Sequence, residues 1–441
     1  MGKVSINNAL VIGGGLAGSE AAWQLAERGV KVLLKEMRPK VMTPAHKTDL
    51  FAELVCSNSL RADSIDNAVG LLKEELRFLG SLIMSCADNN KVAAGGALAV
   101  DRWKFSKQVT EKILKHANID VQIDEVKEFP QNRPVIIASG PLTSKSLANE
   151  LKTITGHDHL YFFDAAAPIL TRDSINTDKV FWASRYNKGE PAYLNCPMTE
   201  TEYQRFYDFL ISAKISPPKD FEKEIYFEGC MPIEIMAKRG FKTLLYGPLK
   251  PVGLVDPKTN KQPFAVVQLR KDNTEGSLLN IVGFQTSLKW GDQQKLIRMI
   301  PGLESAEIVR YGVIHKNTFI NSPILLKATG QMYTYPDIFF AGQITGVEGY
   351  VESTASGLVA GINCYRLLRG KEPLVFPTTT AIGALQGYIT RLVNGSFQPM
   401  NITYGLFSSL GQRVKNRKQK RDLYAKRALN QIKNLLLGID K

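Results

Sequence analysis

The chain is poor in the residues that build metal centres, disulfide frameworks and membrane spans. Its 441 residues include five cysteines and five histidines. Cys56, Cys86, Cys196, Cys230 and Cys364 are odd in number, widely spaced and free of any C-x-x-C pair. That excludes a disulfide scaffold and a zinc finger, and it points to a reducing cytoplasm. There is no H-E-x-x-H, no P-loop and no Ser-His-Asp pattern, so no metal is expected. No apolar run approaches the roughly 18 residues that span a bilayer. The first residues lead directly into an apolar strand rather than a secretory leader. The expectation is a soluble, cytoplasmic protein with no membrane partner.

The bulk composition is that of a globular protein, 44% apolar and 22% charged, long enough for two or three domains with a large core. The formal net charge of +14 stands out. It suits a polyanionic partner such as a nucleic acid, or a basic tail with no specific role.

The stretch 11–18, V-I-G-G-G-L-A-G, organises the rest. Ala9, Leu10, Val11 and Ile12 form an apolar run fit for a buried parallel strand. Gly13, Gly15 and Gly18 fall in G-x-G-x-x-G spacing, with Gly14, Leu16 and Ala17 completing the turn. The first glycine permits the tight turn, the second lets backbone approach a pyrophosphate, and the third lets the next helix pack on the strand. A helix over 16–28 would aim its N-terminal amides at the phosphates. Gly29 ends it, a strand over 30–34 follows, and Glu36 stands eighteen residues beyond Gly18, where a carboxylate accepts from ribose hydroxyls. Together these predict a dinucleotide site.

Helices are expected over 67–79 and 105–116, and strands over 119–123 and 134–138, the latter ending at Ser139, Gly140 and Pro141. From 151 to 327 the elements shorten, prolines become more frequent and no glycine fingerprint appears. Nucleotide-domain character returns with a strand over 338–341 and a loop holding Gly342, Gln343, Gly346, Gly349 and Tyr350. The helix over 352–368 carries Ser353, Ala355, Gly357, Ala360 and Gly361, small residues suited to close packing. This pairing of two glycine loops matches flavin adenine dinucleotide (FAD) better than a nicotinamide cofactor, and no second fingerprint marks a separate NAD(P)H domain. The expected fold is α/β, a Rossmann-like FAD-binding domain of the glutathione-reductase-like kind interrupted by an inserted α+β domain. The expected division is 1–150, 151–327 and 328–441. From Arg413 onward ten Lys or Arg face only Asp422 and Asp440. Ala425, Ala428, Leu429, Ile432 and Leu436 recur at helical spacing, leaving a solvated terminal helix and an RNA-contacting face equally open.

Cys230 precedes Met231 and Pro232, and a helix over 233–238 would place its thiol near an N-terminus that stabilises thiolate. Glu224, Glu228 and Glu234 would oppose that, and spacing alone favours a buried structural thiol. Cys56, in C-S-N-S with Arg61 nearby, reads equally as accessible or structural, whereas Cys86, Cys196 and Cys364 read as structural. His315 by itself reads as a core histidine.

Taken together these residues resemble the folate- and FAD-dependent tRNA (uracil-5-)-methyltransferases of bacteria. The resemblance runs through E-L-V-C-S-N-S-L-R at 53–61, L-N-C-P-M-T-E at 194–200, F-E-G-C-M-P-I-E at 227–234 and Y-G-V-I-H-K-N-T-F-I-N-S-P at 311–323. It covers essentially the whole chain. It implies transfer of the one-carbon unit of methylenetetrahydrofolate to C5 of a uridine, with FAD as mediator and NAD(P)H as reductant. The implied target is the T-loop uridine of tRNA, with a uridine of large-subunit ribosomal RNA as the alternative. Cys230 matches the cysteine assigned to attack C6 of uracil, Cys56 the one assigned to acid–base work at C5, and His315 a residue thought to stack on folate. Such chemistry needs a thiolate, because C5 becomes nucleophilic only after addition at C6.

Overall fold

The computed structural model describes residues 8–131, 134–158, 160–215, 231–392 and 397–439. The first glycine turn is framed by β1 (Asn8–Ile12), α1 (Leu16–Ala26) and β2 (Lys31–Glu36). Gly29, at φ 76°, supplies the left-handed residue that stops α1. β2 runs two residues past the expected strand, so Glu36 is its last residue. The segment 37–115 follows β2. It contains β3 (Ser59–Ala62), α2 (Ala68–Phe78), α3 (Leu82–Asn89), β4 (Lys91–Val92), β5 (Ala97–Val100) and α4 (Arg102–Lys115). The helix α3 was not expected. Ser81 caps it by accepting from the Met84 amide, as Asp101 caps α4 through Lys104.

β6 (Ile119–Ile123) and β7 (Val135–Ile137) precede α5 (Lys145–Thr155). Much later the chain returns with α10 (Ser322–Leu325), β16 (Ile338–Phe340), α11 (Tyr350–Leu368), α12 (Ala381–Ile389) and α13 (Arg417–Ile439). The central sheet has the order β16-β7-β1-β2-β6 and every pairing in it is parallel. Alternate residues of β1 serve opposite faces. Ala9 and Val11 pack with α1 and α11, and Leu10 and Ile12 pack with Leu147 and Leu151 of α5. The chain leaves β1 for β2 on one side and returns to β7 on the other. A crevice therefore opens at the carboxyl ends of β1 and β7, where open α/β sheets bind ligands.

α1 and α11 cross backbone to backbone. A Cβ on Gly357 would lie 2.2 Å from the Ala17 carbonyl oxygen, and one on Gly361 would lie 2.8 Å from that of Ala21. The small residues read from the sequence as a close-packing face are there for this crossing.

Between α5 and α10 the chain builds a second body. Its elements are β8 (Leu160–Ala165), β9 (Ile169–Thr171), β10 (Phe181–Ala183), β11 (Tyr193–Met198), α6 (Glu200–Ser212), α7 (Ile233–Ala237) and α8 (Thr243–Tyr246). They continue with β12 (Ala265–Lys271), β13 (Leu278–Ile281), α9 (Trp290–Arg298), β14 (Ile308–Arg310) and β15 (Ile314–Phe319). Six strands form an antiparallel sheet, β10-β11-β12-β13-β9-β14, over a core that includes Cys196, Tyr203, Phe206 and Phe284. β8 pairs antiparallel with β15, so exit from and return to the parallel sheet run side by side. Position 150 lies within α5. The helix expected over 233–238 is present as α7, with Pro232 at its N-cap. Among the described residues no helix is long and apolar enough to cross a membrane.

Candidate active site

A cleft of about 370 Å³ opens at the carboxyl ends of β1, β7 and β16. Its wall includes Gly13, Gly15, Leu16, Ala17 and Glu36 from the first unit, Ser139 and Gly140 after β7, and Gly342, Gln343, Gly349 and Tyr350 before α11. Cys56 lines the same cleft. Segments more than 300 positions apart in sequence thus share one cavity.

The glycines divide by what surrounds them. Gly13, at φ 103°, and Gly18 are demanded by backbone contact, since a Cβ on Gly18 would lie 1.8 Å from the Gly13 oxygen. Gly15 has no protein atom within 4 Å of where its Cβ would be, so its bare face belongs to whatever fills the cleft. No side chain caps α1 beyond Gly15, leaving its first amides and positive end turned toward an anion. This is a cradle for a pyrophosphate, and it fits FAD. Gly342, Gly346 and Gly349 all take positive φ, at 83°, 83° and 113°. Three of the expected binding residues do not line the cleft. Gly14 uses its amide on Glu36, Gly18 packs under Gly13, and Gly346 packs against the Phe397 ring.

Glu36 is more committed than its place in the motif suggested. Its Oε2 accepts from the Gly14 amide at 2.6 Å, and its Oε1 accepts from the Arg38 amide and Nε at 3.0 Å each. Burial raises its pKa, but the Arg38 charge and these donors outweigh that and hold the carboxyl below its ordinary value. One acceptor position on Oε2 is left for a ribose hydroxyl.

The loop carrying Cys56 is gripped from three directions. The Arg102 guanidinium donates to the Leu54 carbonyl while forking onto Asp272, at 2.8 and 3.2 Å. Arg310 donates to the Val55 carbonyl at 2.7 Å. Arg270 donates to Ser57 Oγ at 2.9 Å and, through two nitrogens, to Asn58 Oδ1. Arg270 and Asp272 belong to or follow β12 and Arg310 ends β14, so the antiparallel body fixes the loop of the other body. From the cleft side, Tyr350 Oη accepts from the amides of Cys56 and Ser57 at 2.8 and 3.2 Å. Loss of hydration and the neighbouring Cys56 thiol push the Tyr350 phenol up, against the opposing pull of Arg102. Cys56 itself is half-buried, its Sγ 3.7 Å from the Ala165 carbonyl. Sequence reasoning missed all three arginines. No local pattern marks them, because each acts across the interface between sheets.

Cys86, Cys196 and Cys364 are buried, and burial raises all three thiols, Cys86 to about 11. Cys230 lies outside the described residues. The chain resumes at Met231, and the Ile233 amide donates to the carbonyl of Gln285, a residue of the cleft wall. His315 is the second residue of β15, in register with Asp164 of β8.

The family described as glucose inhibited division protein A matches residues 8–372. Over 425 residues the chain is 64% identical to methylenetetrahydrofolate--tRNA-(uracil-5-)-methyltransferase TrmFO of Bacillus licheniformis, covering 96% of this chain and 98% of that one. With the protein of the same name from Bacillus subtilis the identity is 61%, at the same coverage. The structure of Aquifex aeolicus GidA in its form II crystal superposes with a TM-score of 0.70 at 17% identity, over 97% of this chain and 73% of that one. At that identity the likeness speaks for the fold, a Rossmann-like FAD-binding fold. By the family match and by this near full-length identity, the chain belongs to the glucose inhibited division protein A family and, within it, to the methylenetetrahydrofolate--tRNA-(uracil-5-)-methyltransferases.

Proposed function

We propose that this protein methylates C5 of a uridine in tRNA, taking the one-carbon unit from methylenetetrahydrofolate and reducing equivalents from NAD(P)H. The observation that carries this reading is a single cleft shared by the Gly13–Gly15 turn, the Gly342–Gly349 loop and the Cys56 loop. Leu16, Ala17 and the free amides of α1 would hold the pyrophosphate, Glu36 the adenosine ribose, and Gly342, Gln343, Gly349 and Tyr350 the flavin end. When bound, FAD supplies the reducing chemistry that the one-carbon unit needs to end as a methyl group. The relatives' names specify tRNA, and the ribosomal alternative finds no support there.

In this reading Cys230 adds to C6 of the uracil and so makes C5 nucleophilic. Cys56 takes the C5 proton, and its loop has to stay still while it does so, a task for the three arginines and Tyr350. His315 stacks on the folate. The segment 151–327 meets substrate, and 1–150 with 328–441 holds the cofactor. The target base leaves its stack to reach the cleft. The excess of positive charge draws in the phosphate backbone, and the site of action is the cytoplasm.

An absorption spectrum of the purified protein, followed by mass analysis of RNA incubated with methylenetetrahydrofolate and NADPH, tests this. Bound flavin and methyl gain on tRNA are expected. Cys230→Ala should stop methyl gain while the protein stays yellow. Absence of flavin, or methylation of a ribosomal fragment alone, would overturn the assignment.

A further inference from the structure

A second cleft, of about 620 Å³, adjoins the first. Arg61 lines both, so the two share this residue. The rest of its wall includes Asn67, Tyr404, Arg417, Lys420 and Arg421, which brings the start of α13 beside the start of α2.

Three features make this a built groove rather than a gap between helices. First, α13 is anchored: Ala425, Ala428 and Ile432 are fully buried in the same core as α1 and α11. Its basic first turns are therefore held in place rather than left as a solvated tail. Second, the wall is tied together. Glu352 Oε1 accepts from both the Arg61 guanidinium and the Ile402 amide, and the chain from Ile402 to Gly405 forms the opposite side. Third, the wall itself is one-sided in charge, with four cations and no carboxylate lining it, although Asp66 and Glu75 lie near enough to act on Tyr404. Arg417, Lys420 and Arg421 make no ion pair among the described residues, and the nearby Asp422 is held at 2.9 Å by Lys426. Glu352, the buried carboxylate at the junction, is committed to Arg61.

A concave surface carrying that many uncompensated cations repels itself and concentrates anions. Guanidinium forks suit phosphate, and they sit beside an ammonium that binds it as a point charge. The aromatic rings present are engaged with each other. Tyr404 stacks on Tyr424 with centroids 5.5 Å apart and planes 22° apart, and Phe407 packs against both, so these rings are held among protein neighbours rather than presented to a base. The groove is fitted to a backbone rather than to bases, which means contacts that position without reading sequence.

We propose that this groove seats the phosphodiester backbone of the RNA flanking the target uridine. Arg417, Lys420 and Arg421 hold consecutive phosphates, and Arg61 marks the point where the strand turns into the catalytic cleft. This rests on the reading that the substrate is RNA. It gives the basic C-terminal helix, whose role the sequence left open, a specific task.

The test is the triple variant Arg417→Gln, Lys420→Gln, Arg421→Gln, with tRNA binding measured over a range of salt concentrations. Three lost phosphate contacts should lower the slope of log affinity against log salt by about 2 units, at about 0.7–0.9 per contact. Affinity near 0.1 M salt should fall about 10- to 100-fold, while flavin content and NADPH oxidation without RNA stay as in the wild type. If the triple variant folds poorly, Arg417→Gln and Lys420→Gln, both at exposed positions, carry the test singly, each lowering the slope by about 0.7–0.9. Unchanged affinity and slope would overturn the proposal. So would a variant that binds tRNA normally but has a raised KM for NADPH, which would assign the phosphate chemistry to the reductant. Wild-type protein that binds tRNA through these residues without methylating it would sink the proposed function and leave the groove standing.

Discussion

Gly357→Ala should uncouple the two glycine loops from each other without touching either. A Cβ at 357 would sit 2.2 Å from the Ala17 carbonyl oxygen, and real Cβ atoms essentially never come within 3.0 Å of a neighbour. That oxygen is backbone of α1 and cannot swing aside, so α1 and α11 must move apart by most of an ångström. Overpacking of this kind costs about 1–3 kcal/mol. Alanine returns about 1 kcal/mol through its better helix propensity. The net loss is then up to about 2 kcal/mol, a drop of about 2 °C in Tm for a protein of this size. The larger effect is on the cleft. Gly15 is the N-cap of α1 and Gly349 that of α11, and both ends line the cavity, so separating the helices pulls its two walls apart. The assay is flavin per protein chain after gel filtration, with Tm by calorimetry. We expect a lower Tm and substoichiometric flavin. A variant with full flavin and a raised Tm would refute the reasoning, because only the propensity gain would then have operated.

Gly15→Ala makes the converse prediction. Its Cβ meets no protein atom and its φ of −73° suits alanine, so apo stability should match the wild type while flavin retention falls sharply. Equal flavin content would exclude that face from cofactor contact. Arg270→Met should strip Ser57 and the buried Asn58 of their donors and loosen the Cys56 loop. We expect kcat for methylation to fall about 10- to 100-fold with KM for folate little changed. Equal losses in both would point to folding instead. Glu75 gives a pH signature. It accepts from the amides of Ala381 and Ile382 at the start of α12, at 2.6 and 2.9 Å, yet burial pushes its carboxyl up to about 8 from 4.5. Between those values the folded state binds the extra proton, so stability should fall as pH rises from 4.5 to 8 and level off above. The full window corresponds to about 5 kcal/mol. Tm against pH should be visibly flatter in Glu75→Gln, and parallel curves would contradict the assignment.

Much of the parallel sheet was legible in the chain because its signals are local. The apolar run at 9–12, the glycines at 13, 15 and 18 and the small residues of α11 each reflect a constraint imposed within a few residues or by one neighbouring helix. The short elements β3 and α3 were not read from the sequence. The strand β3 is only four residues long with an irregular register, and α3 is short, so neither leaves a periodic signature. Beside Cys230 the proline signal placed a helix over 233–238, and α7 spans Ile233–Ala237, one residue shorter.

What the residues alone determined was the chemistry available: a turn that cradles a pyrophosphate, a second glycine loop, two thiols of interest and an excess of positive charge. Backbone sterics and charge are properties of residue type and spacing, so they survive in a linear reading. Only the tertiary structure decided that Cys56 stands on a loop held by Arg102, Arg270 and Arg310, and that the basic helix borders a groove sharing Arg61 with the cleft of the glycine loops. Those facts depend on which surfaces two differently built sheets present to each other. No periodicity records that, because the partners lie from 48 to 255 positions apart along the chain.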